Sequence, residues 1–475
     1  MTARRVKIVC TIGPASRSNE ALKALVAAGM NVARLNFSHG TQEEHLDVLK
    51  RLRALDPSVA ILQDLAGPKI RIGDLEGGQA SLAEGGRFVL TTSQAPGDVK
   101  RAQVNYAELP KDVRPGDSIF LADGLIHLEV ERVEGHDVVC RIVHGGMLMS
   151  RQGVNLPGVL ISAPSLTEKD RSDLECGVAA AVDYVALSFV RSAADVLALR
   201  SLLAERMSAA GIVAKIEKRE ALDDFEAIVV ASDAVMVARG DLGVEIPPED
   251  VPVAQKRIIE RCRARGKPVI IATQMLESMV RSSRPTRAEA SDVANAVLDG
   301  ADAVMLSAET ASGVNAVESV RVMDRIARRA EAYAREPGAA HGALRDGAPG
   351  QGAQAGAVED PMRAVCAGAV EIAERVNASV LACLTHSGET ARILASHRPG
   401  ALILALTDHP PVVRRLALLW GTRAVQAPPF HQIEKIFDAA REWVRSERFT
   451  GTLVLTAGIP THENAPTNAV HVVPI

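Results

Sequence analysis

Residues 212–243, IVAKIEKREALDDFEAIVVASDAVMVARGDLG, hold two apolar runs of strand length separated by a polar spacer long enough for a helix. Both runs end in charge. Side chains alternate across a strand, so Lys215 and Glu217 share one face while Ala214 and Ile216 take the other. The second run leaves through Arg239-Gly240-Asp241, a glycine turn that presents a carboxylate beside the end of the neighbouring strand. Glu217 and Asp241 are therefore expected to share one divalent ion. Oxygen-only ligands in this number suit Mg2+ or Mn2+, which keep waters and take phosphate oxygens from a bound molecule. Lys215 then stands beside that phosphate. Singly, these residues fit a cap, a turn and a snorkelling lysine; together they point to a site.

The whole chain bounds what this site belongs to. Its 475 residues, 47% apolar, supply core enough for two or three domains. A net charge of −4 without a basic run, and 3% aromatic residues, exclude a nucleic-acid groove built on stacking and leave small molecules as partners. Cys10, Cys140, Cys176, Cys262, Cys366 and Cys383 form no CxxC pair, so free thiols in a reducing compartment are expected. No run approaches membrane-spanning length, and the opening MTARRVKIVCTIG enters a strand pattern directly. A cytoplasmic protein with no membrane contact is expected.

Outward from 212–243, apolar runs recur at 6–12, 31–37, 59–65, 183–190, 268–275 and 303–307, giving eight with the first pair. Amphipathic helical stretches such as 21–28, 251–265 and 287–298 lie between them. Continuous strands alternating with helices predict a parallel sheet buried on both faces, and eight units favour a closed (β/α)8 TIM barrel, an α/β fold, over 1–71 and 158–336. Between 72 and 157 the helical period gives way to β-like pieces at 87–91, 118–121, 127–133 and 138–143, which predict an inserted all-β lid at the barrel mouth. Residues 337–357, rich in Gly and Ala, read as a linker. A separate C-terminal α/β domain follows over 358–475, with a helix at 362–376 and strands at 380–385, 401–407, 452–456 and 469–473.

Barrels of this kind collect chemistry where strands end and loops begin. In the second strand Arg34, Asn36 and Ser38 share a face, and the third ends in Asp64 and runs through Leu65 to Lys69 and Arg71. Arg34, Arg71 and Lys215 offer three points for anionic oxygens, and arginine can grip in bidentate fashion. Strands seven and eight add Thr273, Gln274, Glu277, Ser307 and Glu309. In the C-terminal domain, Thr385, Ser387, Gly388 and Thr390 of THSGET form a hydroxyl-rich turn after a strand, suited to a phosphate or to simple capping.

The segments KIVCTIGPAS, MNVARLNFSHG, AKIE, VARGDLGVEIP, ATQMLESM and MLSAET resemble the pyruvate kinase family along nearly the whole chain. The resemblance implies transfer of a phosphoryl group from phosphoenolpyruvate to ADP, giving pyruvate and ATP. It makes Glu217 and Asp241 ligands of Mg2+, Lys215 the stabiliser of the moving phosphoryl group, and Thr273 a neighbour of the enolate carbon. The amides around Gly240 and Asp241 would take the substrate carboxylate. Arg34 and Arg71 would hold phosphates, with Asn36, His39, Asp123 and Arg151 on the nucleotide side. A barrel lyase acting on a pyruvate enolate is the rival enzyme class. The resemblance also implies a homotetramer.

Three departures from the family pattern stand out. Gln152 replaces a basic residue of the lid, with Arg151 beside it. The family's potassium site maps to Asn36, Ser38, Asp64 and the Leu65 carbonyl, but Lys69 stands where potassium-dependent members have a glutamate. An ammonium carries the same charge as K+, so no monovalent cation is expected to be required. Glu389 stands where relatives regulated by fructose 1,6-bisphosphate have a basic residue, which favours a sugar monophosphate or AMP as effector. The loop over that pocket, 458–468, includes His462.

Overall fold

A computed structural model describes residues 4–336, 360–428, 433–459 and 465–475. The expected linker and His462 lie outside the described residues. Strands Lys7–Thr11, Val32–Asn36, Ala60–Asp64, Tyr184–Leu187, Gly211–Ile216, Ala234–Ala238, Val269–Ala272 and Ala303–Leu306 close into one parallel barrel. The first pairs with the eighth, Lys7 opposite Ala303, so no edge remains. Each strand falls within or one residue from its expected run. Several runs overshoot at their polar ends, where the chain leaves the ladder to form the mouth.

The strands read as continuous apolar runs because both faces are buried. Val9, Val32, Leu62, Val213, Met236, Ile270 and Met305 fill the inside, while Ile8, Cys10, Ala33, Ile61 and Ala214 pack outward in a second cluster. The helices carry their own stop and start groups. Asn19–Ala28 begins at Ser18, whose hydroxyl accepts the Ala21 N–H, and ends at Gly29 with φ 114°. Gln42–Leu55 and Arg287–Asp299 open with reciprocal capping boxes, Thr41 with Glu44 and Thr286 with Glu289.

The insertion is an all-β domain of a six-stranded and a two-stranded sheet. The expected pieces become Arg87–Thr91, Ser118–Leu121, Ile126–Glu134 and Asp137–His144. Gln79–Leu82, Arg101–Gln103, Gly146–Met149 and Val154–Asn155 were not legible, being too short to show a period. The lid core runs from Ile70 to Val159, slightly beyond 72–157. Its turn Ala122-Asp123-Gly124 rests on the barrel: a Cβ at Gly124 would sit 3.6 Å from Val244.

The C-terminal sheet has the order Thr422–Gln426, Leu402–Thr407, Val380–Leu384, Thr452–Ala457, Ala469–Pro474, with only the last strand antiparallel. Thr422–Gln426 escapes a sequence reading because Thr422 alone is buried. This domain seals the barrel floor. Leu418 joins the inner barrel cluster, Arg398 Nη1 donates to Asp302 Oδ1 (2.9 Å), and Arg414 Nε donates to Asp183 Oδ1 (2.6 Å). Lys7, at the start of the first strand, donates from Nζ to the Thr422 carbonyl (2.6 Å). With Leu418 in the inner cluster, the barrel interior is closed from below. Among the described residues no helix is long and apolar enough to cross a membrane, and all six cysteines are free.

Leu418→Ala removes the plug from the barrel floor and is expected to destabilise the chain by about 2–5 kcal/mol. Denaturant unfolding monitored on both domains checks this, and an unchanged midpoint would contradict the plug.

Candidate active site

The mouth is organised on Lys215, the fifth residue of Gly211–Ile216. Its Nζ donates to Ser188 Oγ (2.7 Å) and lies 3.2 Å from Asp64 Oδ1 and 2.9 Å from Glu217 Oε1. Arg34 joins from the second strand, with Nε donating to Asp64 Oδ2 (2.7 Å) and Nη1 to Thr11 Oγ1 (2.9 Å). Burial opposes the Lys215 charge, but Asp64 and Glu217 outweigh it and raise its pKa above the ordinary lysine value. Burial likewise opposes the Asp64 charge, yet Lys215 and Arg34 hold its carboxyl below the usual range. Glu217 is the unsatisfied member. Burial raises its pKa, and the Asp241 charge adds to the effect in spite of Lys215.

Glu217 is fully buried, held from behind by the Phe189 N–H donating to Oε2 (2.8 Å). Its Oε1 meets Lys215 as an ion pair without hydrogen-bond alignment, and so keeps an unpartnered lone pair. Glu217 follows the strand that pairs with Ala234–Ala238, Ile216 opposite Val237, which brings the turn carrying Asp241 alongside. A buried carboxylate oxygen without a hydrogen bond, repelled by a second carboxylate, fits a hard divalent cation.

The turn is fixed by Arg239, whose guanidinium donates to Asp292 Oδ1 (2.7 Å) and to the Thr273 carbonyl (2.8 Å). Thr273 Oγ1 accepts the Gly240 N–H (2.8 Å) and donates to the Ala272 carbonyl (2.6 Å). The Gly240 amide expected to meet a carboxylate is therefore engaged by Thr273. Thr273 and Gln274 have φ of 68° and 55°. A β-branched residue there stores about 1–3 kcal/mol of strain, a feature that clusters at working sites. Glu309 is a scaffold, its carboxylate accepting the Leu276 and Ser307 amides at 3.0 and 2.6 Å.

Two residues that sequence reasoning missed complete the mouth. Ser188 bridges Lys215 to the Leu65 carbonyl, donating to it at 2.7 Å, and Phe189 reaches Glu217 through a φ of 54°. Gly67 permits this approach, since a Cβ there would fall 2.8 Å from the Phe189 ring. The Gly67-Pro68 pair was the available sign that the loop turns sharply here. Asn36 Oδ1 accepts the Ser38 amide (3.1 Å), closing the turn after the second strand.

Between lid and barrel lies a cleft lined by Lys69, Asp123, Arg191, Lys218 and Asp241 among others. Lys69 is exposed, and among the described residues no carboxylate pairs with its ammonium. Exposed His39 lies outside the buried cluster; partial burial, then the charges of Arg71, Lys69 and Arg34, lower its pKa. Arg71 Nη1 donates to the Arg151 carbonyl (3.0 Å), while the Arg151 guanidinium grips Asp74 of the lid at 2.7 and 3.0 Å. Gln152 Oε1 accepts the Met149 amide (2.9 Å). The structure thus brings Asp123 into the cleft, and engages Arg151 and Gln152 within the lid.

In the C-terminal domain Thr385 Oγ1 accepts the Gly388 N–H (2.9 Å), Ser387 Oγ accepts the Glu389 N–H (3.3 Å), and Thr390 Oγ1 meets Thr467 Oγ1 (2.9 Å). Thr385 and Ser387 are engaged locally at the start of helix Glu389–Ser396, and Thr390 is tied to the segment before the last strand.

Comparison with known proteins agrees with this geometry. One family model, described as pyruvate kinase, barrel domain, matches residues 3–320, and a second, pyruvate kinase, alpha/beta domain, matches 363–473. The chain is 44% identical to the pyruvate kinase of Agrobacterium vitis, covering 99% of this chain and 97% of that one. It is 43% identical to the enzyme of Mycobacterium tuberculosis H37Rv, covering 99% and 98%. The crystal structure of a pyruvate kinase from Cryptosporidium parvum superposes with a TM-score of 0.90 at 37% identity, over 99% of this chain and 96% of that one. On its barrel, its C-terminal domain and its full-length relatives, the chain belongs to the pyruvate kinase family of phosphotransferases.

Proposed function

We propose that the chain transfers the phosphoryl group of phosphoenolpyruvate to ADP, forming pyruvate and ATP, with Mg2+ held by Glu217 and Asp241. The observation that carries this is the buried Lys215 ammonium, 2.9 Å from a Glu217 oxygen that has no hydrogen bond. When bound, the metal neutralises phosphate charge at that open oxygen. Phosphoryl transfer passes through a loose transition state whose charge spreads over three oxygens, so positioned cations do most of the work. Lys215 supplies one, already oriented by Ser188 and Asp64. Arg34 supplies a second, locked by Asp64 and Thr11. Thr273, strained beside Gly240, would relay a proton to the enolate carbon once its hydroxyl turns from the Ala272 carbonyl. Asp123 and Lys69 face the cleft from lid and loop, where a nucleotide lies shielded from water.

The reading includes independence from potassium. Of the oxygens expected to hold that ion, Asp64 is paired with Arg34 and Lys215, the Leu65 carbonyl accepts from Ser188, and Asn36 Oδ1 accepts from Ser38. Lys69 adds an exposed ammonium at the same mouth. It is also part of this reading that the enzyme works in the cytoplasm, as a homotetramer, and that the Thr385–Thr390 turn takes a sugar monophosphate or AMP.

In an assay coupling ATP formation to phosphoenolpyruvate and ADP, the wild type depends on Mg2+, and Lys215→Met and Glu217→Ala lose at least about 100-fold in kcat. Carbon–carbon cleavage without nucleotide would instead establish the lyase. Ser188→Ala removes the acceptor that orients Lys215; kcat/KM is expected to fall about 10–100-fold, the worth of a hydrogen bond to a charged group. An unchanged value would remove Ser188 from the mechanism. Turnover should persist in buffer containing tetramethylammonium as the only monovalent cation, and its collapse there would refute potassium independence.

A further inference from the structure

A second group of metal-ligating side chains sits on the domain that seals the barrel floor. His386 follows strand Val380–Leu384, while Asp408 and His409 follow Leu402–Thr407. These strands are parallel neighbours with Leu384 opposite Leu406, so the two loops leave the sheet side by side. His386 Nδ1 lies 3.2 Å and His409 Nε2 3.6 Å from one oxygen, Asp408 Oδ1. All three ligand atoms fall within 4.8 Å of one another.

Those distances match a particular coordination. Zinc bonds of about 2.0–2.1 Å in tetrahedral geometry put ligand atoms about 3.3–3.4 Å apart, between the 3.2 and 3.6 Å from the two imidazoles to Asp408 Oδ1. The two imidazoles are tilted by 58° with centroids 5.6 Å apart, so they do not stack and can turn their nitrogens to a common point. Two nitrogens and one carboxylate select a borderline metal over Mg2+, in contrast to the oxygen-only pair Glu217 and Asp241.

The backbone holds these ligands before any ion arrives. His409 precedes Pro410 and Pro411, which disfavours helical geometry, and it sits at φ −103°, ψ 105°. Its amide donates to Thr407 Oγ1 (3.3 Å). The His386 loop is pinned by the Gly388 N–H on Thr385 Oγ1 (2.9 Å), with Gly388 at φ 91°. Little ordering is left for binding to supply. From this arrangement we infer that His386, Asp408 and His409 form a site for a zinc-class divalent ion, with water at the fourth position. The ion ties two strand-end loops together and stiffens the turn that runs into helix Glu389–Ser396.

Zn2+ titration calorimetry of the full chain in excess Mg2+, which occupies the oxygen-ligand site, tests this, with Co2+ as a coloured probe of tetrahedral nitrogen ligation. One ion per chain is expected. His386→Ala and His409→Ala should each weaken it by at least about 100-fold, since even outer partners of a ligand are worth about 10–100-fold. His144→Ala, at an exposed lid histidine, should leave it unchanged. Asp408→Asn, which keeps side-chain size, repeats the test should the alanine variants fold poorly. Absence of Zn2+ binding by the wild type, or binding that survives the ligand substitutions, overturns the proposal.

Discussion

The mouth of this barrel depends on one buried cation. Lys215 Nζ has two carboxylates and a hydroxyl within 3.2 Å, among groups that are almost wholly inaccessible to water. Burying an ion costs several kcal/mol, which only close partners offset. The surrounding chain is arranged to provide them. Gly67 lets its loop approach Phe189, Phe189 adopts a positive φ to reach Glu217, and Ser188 holds the ammonium from the side. The compensation is uneven. Asp64 receives two cations, whereas Glu217 keeps an open oxygen beside Asp241, and that imbalance marks where a further positive charge belongs.

The rest of the fold protects this arrangement from both ends. At the floor, Leu418 enters the inner core, and Arg398 and Arg414 neutralise Asp302 and Asp183. Those pairs join strand starts to the C-terminal domain, so its loops are mechanically continuous with the barrel. At the mouth, the lid turn around Gly124 rests near Val244, on the short helix that carries Asp241.

Much of this was legible in residue order. Eight continuous apolar runs gave eight strands, because a strand covered on both faces has no polar alternation to blur it. Lys215, Glu217 and Asp241 converge because consecutive parallel strands are neighbours and their ends share one rim. Less legible were the lid strands of two to four residues, too short to stand out from loops, and Thr422–Gln426, in which Thr422 alone is buried. Ser188 was invisible for another reason: a serine after a strand is common, and only its distance to Lys215 gives it a role. Arg151 illustrates the converse, since its basic character was plain but its partner, Asp74, lies 77 positions away in the chain.

The sequence by itself determined the barrel, the two appended domains and the identity of the charged groups at the strand ends. These follow from periodicity and chain connectivity, which act between neighbours. The tertiary structure alone decided which charges are compensated, which amides and hydroxyls are already engaged, and where His386 meets Asp408 and His409. Those outcomes turn on differences of a few tenths of an ångström in the separation of residues far apart in the chain, and at the barrel mouth burial magnifies them because little water remains to screen a misplaced charge.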